Sequence, residues 1–222
     1  MLSQLKHFLN TKRIKNRIRS IENCSTLLDV AIFKIKNEKL NGLNFLEIGV
    51  FKGDNAVYIY ENIHQLFNIR LKYFGFDIFD DIHLLKEKYP KDLDQYNLAD
   101  YPYWEFNSGQ HTFNMVHKKL ASTIAPENFK LIKGDTTETL KNIEQELKET
   151  IDLVFIDGCH EYEVVKSDWE NISNLFKINP KLTVVFDDFT YEGVKNTHDK
   201  ILETGFYLIN RLNNNQFIVT LK

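Results

Sequence analysis

The sequence predicts an α/β fold in which helices cover both faces of a mostly parallel β-sheet. Short segments that are apolar throughout, such as residues 44–49 and 151–157, alternate with amphipathic stretches of helical length. Strands without polar alternation are typical of parallel sheets, because such sheets are buried on both faces. The last two predicted strands are joined only through Asn213, Asn214 and Asn215, which predicts an antiparallel hairpin at one end of the sheet.

The individual elements follow from hydrophobic periodicity and from turn residues. Strands are predicted over residues 44–49, 71–77, 129–134, 151–157, 182–188, 206–210 and 216–221. Helices are predicted over residues 21–40, 53–67, 80–89, 136–149, 161–177 and 191–203. We expect the first of these helices to end at Asn41 and Gly42, since glycine is favoured just after a helix.

Two segments stand apart from the alternating pattern. Residues 1–20 carry six basic side chains, no acidic one and an approximate helical stripe of apolar residues. This pattern favours a helix packed on its own domain over one lying on a membrane or partner surface. Residues 90–110 combine proline and aspartate with five aromatic residues, which indicates an ordered lid or a dimer contact. We predict an N-terminal helical extension over 1–42 and one α/β domain over 43–222.

Composition excludes several classes of protein. The 222 residues carry 28 basic and 31 acidic side chains, and a net charge of −3 does not favour a nucleic-acid partner. The sequence contains no apolar run long enough to span a bilayer, and its basic N-terminus lacks the features of a secretory signal. Two distant cysteines, Cys24 and Cys159, do not form a disulfide framework. We therefore expect a reduced, cytoplasmic protein without a transmembrane segment.

The first predicted strand leads into a glycine-containing turn and then a helix, in the sequence FLEIGVFKGDNA. Glu47, Gly49 and Gly53 form the spacing E-x-G-x-x-x-G, which differs from the dinucleotide fingerprint G-x-G-x-x-G. No Gly-Lys-Ser/Thr follows, so the turn is not a Walker A loop. Glycines at such a turn let the backbone approach a ligand while a helix N-terminus faces it.

Acidic residues also follow the next two predicted strands. Asp77 ends the second strand, where a carboxylate of a doubly wound sheet can accept hydrogen bonds from ribose hydroxyls. Asp135 and Thr136 follow the third strand. Each acid could instead cap a helix, but a cap explains a series of acidic strand ends less well than it explains one.

The most specific cluster combines IDLVFIDGCHEY with TVVFDDF. Asp157 ends one predicted strand, and Asp187 and Asp188 end its expected neighbour. Because adjacent strands lie about 4.8 Å apart, these carboxylates should converge at one edge of the sheet. Clustered carboxylates repel one another unless a cation is present, and oxygen ligands suit Mg²⁺ or Mn²⁺. His160 follows Asp157 closely enough to share this site.

The order of these motifs resembles the class I S-adenosylmethionine-dependent methyltransferases, and within them the metal-dependent macrocin and mycinose-type sugar O-methyltransferases. The resemblance covers about residues 43–221 and is most specific at 47–53, 74–81, 133–140, 156–162 and 184–189. It implies a Rossmann-like class I methyltransferase fold with a seven-stranded, mostly parallel sheet. It also implies an S-adenosylmethionine cofactor, Mg²⁺ or Mn²⁺, and a sugar or similar small-molecule acceptor. The N-terminal extension and the aromatic segment 90–110 could both supply the interface of a homo-oligomer.

The same resemblance implies roles for individual residues. The cofactor site would be formed by Glu47, Gly49, Gly53, Asp77, Asp135 and Thr136. The metal ligands would be Asp157, Asp187 and Asp188, with His160 as the catalytic base and Asp157 as the alternative base. The chain departs from the family at Cys159, where an acid is frequent, and at residues 179–181, which lack the usual Gly-Gly turn.

Several functions remain open from the sequence. The leading hypothesis is metal-assisted methyl transfer to a sugar hydroxyl under a lid formed by residues 90–110. A catechol-type O-methyltransferase and a cephalosporin-hydroxylase-like protein are alternatives with similar acidic sites. A nicotinamide-dependent oxidoreductase is disfavoured by the glycine spacing. A cofactor-binding assembly module that docks through the basic N-terminus is the alternative outside catalysis.

Overall fold

The computed structural model of the chain describes residues 18, 20–81, 87–88, 111–141, 143, 147 and 150–222. The predicted N-terminal helix over 1–20 lies almost wholly outside the described residues. The predicted aromatic lid over 90–110 lies wholly outside them.

One seven-stranded sheet forms the centre of the described structure. Its strands are β1 (Gly42–Ile48), β2 (Arg70–Asp77), β3 (Phe129–Lys133), β4 (Leu153–Ile156), β5 (Thr183–Phe186), β6 (Tyr207–Arg211) and β7 (Phe217–Leu221). The strand order is β3-β2-β1-β4-β5-β7-β6. The first five strands pair in parallel, and β7 pairs antiparallel with both β5 and β6. The predicted Rossmann-like fold and its C-terminal hairpin are therefore confirmed.

Helices connect the strands of this sheet. They are α1 (Leu27–Glu38), α2 (Asp54–Phe67), α3 (Phe113–Ala121), α4 (Thr136–Thr139), α5 (Tyr162–Ser173) and α6 (Glu192–Glu203). Short 3₁₀ turns cover Ile21–Asn23, Pro126–Asn128 and Asn174–Lys177. Helix α3 has no counterpart among the helices predicted from the sequence. None of the helices described is long and apolar enough to cross a membrane.

The predicted helix over 21–40 is shorter than expected at both ends. Its first turn is 3₁₀, and α1 begins only after Thr26, whose hydroxyl accepts a hydrogen bond from the amide of Asp29 at 3.1 Å. Lys39 adopts the left-handed conformation (φ 55°) and ends α1, a place where glycine is usual. Gly42 begins β1 instead of capping the helix. The predicted cap at residues 41–42 is therefore wrong.

Two hydrophobic clusters lie on opposite faces of the sheet. Successive residues of β1 alternate between them, since Phe45 belongs to one cluster and Leu46 to the other. Helices α1, α2 and α3 pack on the Phe45 face, whereas α5 and α6 pack on the Leu46 face. Burial on both faces explains why the parallel strands read as continuous apolar runs.

The carboxyl ends of the five parallel strands meet at one edge of the sheet. Sheet-like hydrogen bonds continue beyond the strand ends, from the amide of Asp157 to the carbonyl of Ile48 (2.8 Å) and from the amide of Asp187 to that of Ile156 (2.9 Å). The chain crosses between the two halves of the sheet at β1 and β4. Ligands of open α/β sheets bind at such a switch point.

Gly49 provides a test of how tightly this edge is packed. It has φ +85°, and an added Cβ would lie 1.9 Å from the carbonyl oxygen of Asp157. We expect Gly49→Ala to lower the free energy of unfolding by about 3 kcal/mol, since backbone strain and overlap add. Gly205 is the matched control, because it has φ +71° but open space around it, and Gly205→Ala should cost about 1 kcal/mol. Urea denaturation measures both, and equal losses would contradict the packing argument.

Candidate functional site

Glu47 lies inside the fold and not in an open cleft. Its side chain is fully buried, the hydroxyl of Tyr73 donates to Oε2 at 2.5 Å, and the side-chain amide of Asn55 donates to Oε1 at 2.9 Å. Burial raises the pKa of Glu47 to about 7. The side chain therefore links the first turn of α2 to strands β1 and β2.

The two glycines of the E-x-G-x-x-x-G turn have packing reasons. At Gly49 the nearest atoms to an added Cβ belong to the backbone of Asp157 and Gly158. Gly53 is the N-cap of α2 with φ +71°, and an added Cβ would meet Val116 at 3.2 Å. Both glycines therefore make room for neighbouring chain segments, and their role in letting the backbone approach a ligand stays a prediction.

Asp77 binds the loop that follows β1. Its Oδ2 accepts from the amide of Phe51 at 2.8 Å, and its Oδ1 accepts from the amide of Phe79 at 2.6 Å. Phe51 adopts the left-handed conformation (φ 48°), and its ring stacks on His111. Burial raises the pKa of Asp77 even though main-chain amides stabilise its charge. The carboxylate stays half-buried beside the turn and keeps lone pairs for further donors.

Asp135 caps α4, as the alternative reading of the sequence allowed. Its Oδ1 accepts from the amide and the hydroxyl of Thr137, at 3.0 and 2.7 Å. Its Oδ2 pairs with Nζ of Lys88 at 3.0 Å. Thr136 is the first residue of α4 and is half-buried. Both residues lie at the carboxyl end of β3, on the same edge of the sheet as Asp77.

Asp157, His160 and Asp188 form the one group of potential metal ligands found among the described residues. One ligand atom from each side chain lies within 4.8 Å of the other two. Nε2 of His160 lies 2.9 Å from Oδ2 of Asp188. The His160 ring is 3% exposed and stacks on Tyr191 at a centroid distance of 4.1 Å. The predicted convergence of the β4 and β5 ends is thus present, with the histidine inside the group.

The protonation of Asp157 reflects this crowding. Burial raises the pKa of Asp157 well above its usual range, and the nearby carboxylates of Asp187 and Asp188 raise it further. For Asp188, burial acts in the same direction, but hydrogen bonds from His160 and Asn215 reverse the effect and lower its pKa. The two facing carboxyl groups therefore differ in their affinity for a proton.

Both carboxylate oxygens of Asp187 accept hydrogen bonds from side-chain amides at the end of the hairpin. Its Oδ1 accepts from the side-chain amide of Asn215 and its Oδ2 from that of Gln216, both at 2.8 Å. Asn215 also donates to Oδ1 of Asp188 at 2.9 Å. The structure thus groups Asp157 and Asp188 with His160 and places Asp187 beside the hairpin amides, and the role of the three aspartates as metal ligands stays a prediction. The hairpin amides did not enter the sequence-based site.

The sequence contains a signal for these amides, although it is weak. Phe186 of β5 pairs with Phe217 of the antiparallel strand β7, so the residue after Phe186 faces the residue before Phe217. Those residues are Asp187 and Gln216. The pairing of β5 with β7 thus places Gln216 beside the acidic strand end, but these two strands do not follow each other in the chain, so no turn in the sequence indicates their register.

A family profile described as a methyltransferase domain matches residues 46–189, from β1 to just beyond the Asp187–Asp188 pair. The chain belongs to this methyltransferase family. It is an S-adenosylmethionine-dependent methyltransferase, as the resemblance of its motifs implied.

Solved structures show the same fold. The O-methyltransferase NovP has a TM-score of 0.63 and 15% identity, with 95% of this chain and 80% of that chain covered. CalS11, a TDP-rhamnose 3'-O-methyltransferase of calicheamicin biosynthesis, has a TM-score of 0.51 and 16% identity, with 98% of this chain and 80% of that chain covered. The methyltransferase MycE, solved with Mg, SAH and mycinamycin VI, has a TM-score of 0.50 and 15% identity, with 84% of this chain and 47% of that chain covered.

No curated protein matches the sequence of this methyltransferase at a significant level.

The buried Glu47 predicts a specific pH dependence of stability. Its usual pKa is 4.5 and its pKa in the fold is about 7, so between these values the native protein retains a proton that the unfolded chain has lost. The free energy of unfolding should therefore decrease as pH rises through this window, by up to about 3 kcal/mol from this group. Glu47→Gln should make that decrease smaller in urea denaturation across the window.

The control is Glu61→Gln, which changes an exposed glutamate of α2. It should leave the dependence on pH as it is in the wild type. An unchanged dependence in Glu47→Gln would contradict the assignment of a proton to Glu47 in the native protein.

Proposed function

We propose that the protein transfers a methyl group from S-adenosylmethionine to a hydroxyl of a sugar or similar polyol, with the help of Mg²⁺ or Mn²⁺. The observation that carries this proposal is the group formed by Asp157, His160 and Asp188 at the carboxyl edge of the sheet. It lies beside the Gly49 turn, because the backbone of Asp157 touches Gly49. The methyl donor and the cation would therefore bind at the same edge of the sheet.

The donor set fits a divalent cation. Carboxylate oxygens suit Mg²⁺ and Mn²⁺. The mutual repulsion that raises the pKa of Asp157 would be relieved by a positive charge at this position. Asp157, Asp187 and Asp188 would hold the ion, as the family resemblance implies. A bound divalent cation lowers the pKa of a coordinated hydroxyl and fixes its direction.

The proposed cofactor site consists of the strand ends next to this group. Asp77 would accept the ribose hydroxyls through the lone pairs that the amides of Phe51 and Phe79 leave free. Asp135 and Thr136 would border the adenine. Glu47, Gly49 and Gly53 would act by shaping the turn and the start of α2, whose main-chain amides face the edge.

Methyl transfer is a single in-line displacement. A bond forms between the acceptor oxygen and the methyl carbon while the bond from carbon to sulfur breaks, and S-adenosylhomocysteine leaves. The proton of the acceptor hydroxyl would pass to His160, whose ring is held by Tyr191 and Asp188. Asp157 is the alternative acceptor for this proton. General base catalysis of this kind contributes roughly 10²–10⁴ in rate, and alignment of the reactants contributes further.

The acceptor class has support from structural relatives. CalS11 is a TDP-rhamnose 3'-O-methyltransferase, and MycE was solved with mycinamycin VI. We propose a sugar or glycoside acceptor for this chain. We also propose a division into an N-terminal extension over 1–42 and a catalytic domain over 43–222. We also propose a homo-oligomer in which this extension supplies part of the interface between copies of the chain.

The proposal is tested by methyl transfer from labelled S-adenosylmethionine to a panel of nucleotide sugars, free glycosides and catechols. We expect labelled product from a sugar-containing acceptor in Mg²⁺ or Mn²⁺, and none after chelation. Transfer to catechols alone would show that the acceptor is a catechol and not a sugar. Transfer that persists after chelation would show that the reaction needs no divalent cation.

In the same assay, His160→Ala should lower kcat by roughly 10²–10⁴, because the acceptor proton loses its base. Calorimetry should show that this variant still binds Mn²⁺ with an affinity similar to that of the wild type. Full activity would contradict the role as base. Loss of Mn²⁺ binding would instead make His160 a ligand.

A further inference from the structure

We propose that the side-chain amides of Asn215 and Gln216 form an amide clamp that orients the neighbouring carboxylates of Asp187 and Asp188 and so sets the divalent-cation affinity of the site. The inference rests on the proposed function, because it assumes that a cation binds at this acidic strand end.

The clamp holds the carboxylate of Asp187 on the side of the hairpin. Three donors surround this carboxylate: the amide of Asp188 at 2.7 Å, Asn215 Nδ2 at 2.8 Å and Gln216 Nε2 at 2.8 Å. Both oxygens therefore have partners within the protein, and the carboxylate keeps a lone pair for a cation.

The two carboxylate oxygens of Asp188 have different partners. Asn215 Nδ2 bridges the two neighbouring carboxylates, since it also lies 2.9 Å from Oδ1 of Asp188. The other oxygen, Oδ2, lies 2.9 Å from Nε2 of His160. One oxygen of Asp188 is thus bound to the clamp and the other is presented to the metal-ligand group.

The turn that carries the clamp is held by hydrogen bonds of its own. Asn213 Oδ1 accepts from the main-chain amides of Asn215 (2.8 Å) and Gln216 (2.9 Å). Asn213 Nδ2 donates to Oε1 of Gln216 at 2.8 Å, so the Gln216 amide nitrogen is turned toward Asp187. The amide of Phe189 donates to the carbonyl of Asn215 at 2.8 Å. Both amide side chains are therefore oriented before any cation arrives.

The chemical type of the clamp matters. Amide groups are neutral, so they hold the carboxylates without supplying a positive charge that would compete with a cation. Asp188 itself adopts the left-handed conformation (φ 57°), and the clamp fixes the direction of its carboxylate there. Groups that orient metal ligands in this way typically change metal affinity by about 10–100-fold.

The experiment compares Asn215→Ala and Gln216→Ala with Asn214→Ala. Asn214 is the matched control, an exposed residue of the same type in the same turn. Mn²⁺ binding is measured by electron paramagnetic resonance, and S-adenosylhomocysteine binding by calorimetry on the same samples. We expect the Kd for Mn²⁺ to rise about 10-fold or more in both clamp variants. Asn214→Ala should leave it unchanged, and the affinity for S-adenosylhomocysteine should stay within about 2-fold throughout.

Three results would overturn the inference. An unchanged Kd for Mn²⁺ in both clamp variants would show that the amides do not act on the cation. A parallel loss of Mn²⁺ and S-adenosylhomocysteine affinity would show that the turn supports the whole edge and not the cation site. A wild type that binds S-adenosylhomocysteine but no Mn²⁺ would remove the metal from the proposed function itself, a result distinct from the other two.

Discussion

The crowding of carboxyl groups at the end of β4 and β5 is the constraint on which the rest of the site depends. Parallel pairing aligns Ile156 with Phe186, so the next residues, Asp157 and Asp187, must lie side by side. Asp188 adds a third acid. Burial and mutual repulsion raise the pKa of Asp157, while hydrogen-bond donors from His160 and the hairpin stabilise the charge of Asp188. His160 and the amides of the C-terminal hairpin therefore both stabilise the negative charge of this acidic strand end.

The cofactor half of the edge follows a different principle. Its acids are bound largely by the chain itself: Glu47 by Tyr73 and Asn55, Asp77 by main-chain amides, and Asp135 by the start of α4. These contacts fix the loops after β1, β2 and β3 in position. Rigid loops on a rigid sheet suit the binding of a cofactor, because less conformational entropy is lost when the ligand binds.

The sequence predicted the sheet, its hairpin and the convergence of strand-end acids, because these depend on short-range periodicity and on the alignment of parallel strands. It did not predict where each carboxylate points. Asp187 turns toward the hairpin because β7 pairs with β5 in a particular register, which brings Gln216 beside it. The boundaries of α1 were also missed, since a threonine cap and a left-handed lysine define them locally.

If a methyl donor and a divalent cation bind side by side at this edge, nuclear magnetic resonance should detect their proximity. The sample is the protein with bound S-adenosylmethionine that carries a ¹³C-labelled methyl group. Addition of Mn²⁺ to the wild type should broaden the methyl resonance strongly, diamagnetic Mg²⁺ should not, and Asp188→Asn should abolish the effect of Mn²⁺. A methyl resonance that stays sharp while both the cofactor and Mn²⁺ are bound would contradict the account.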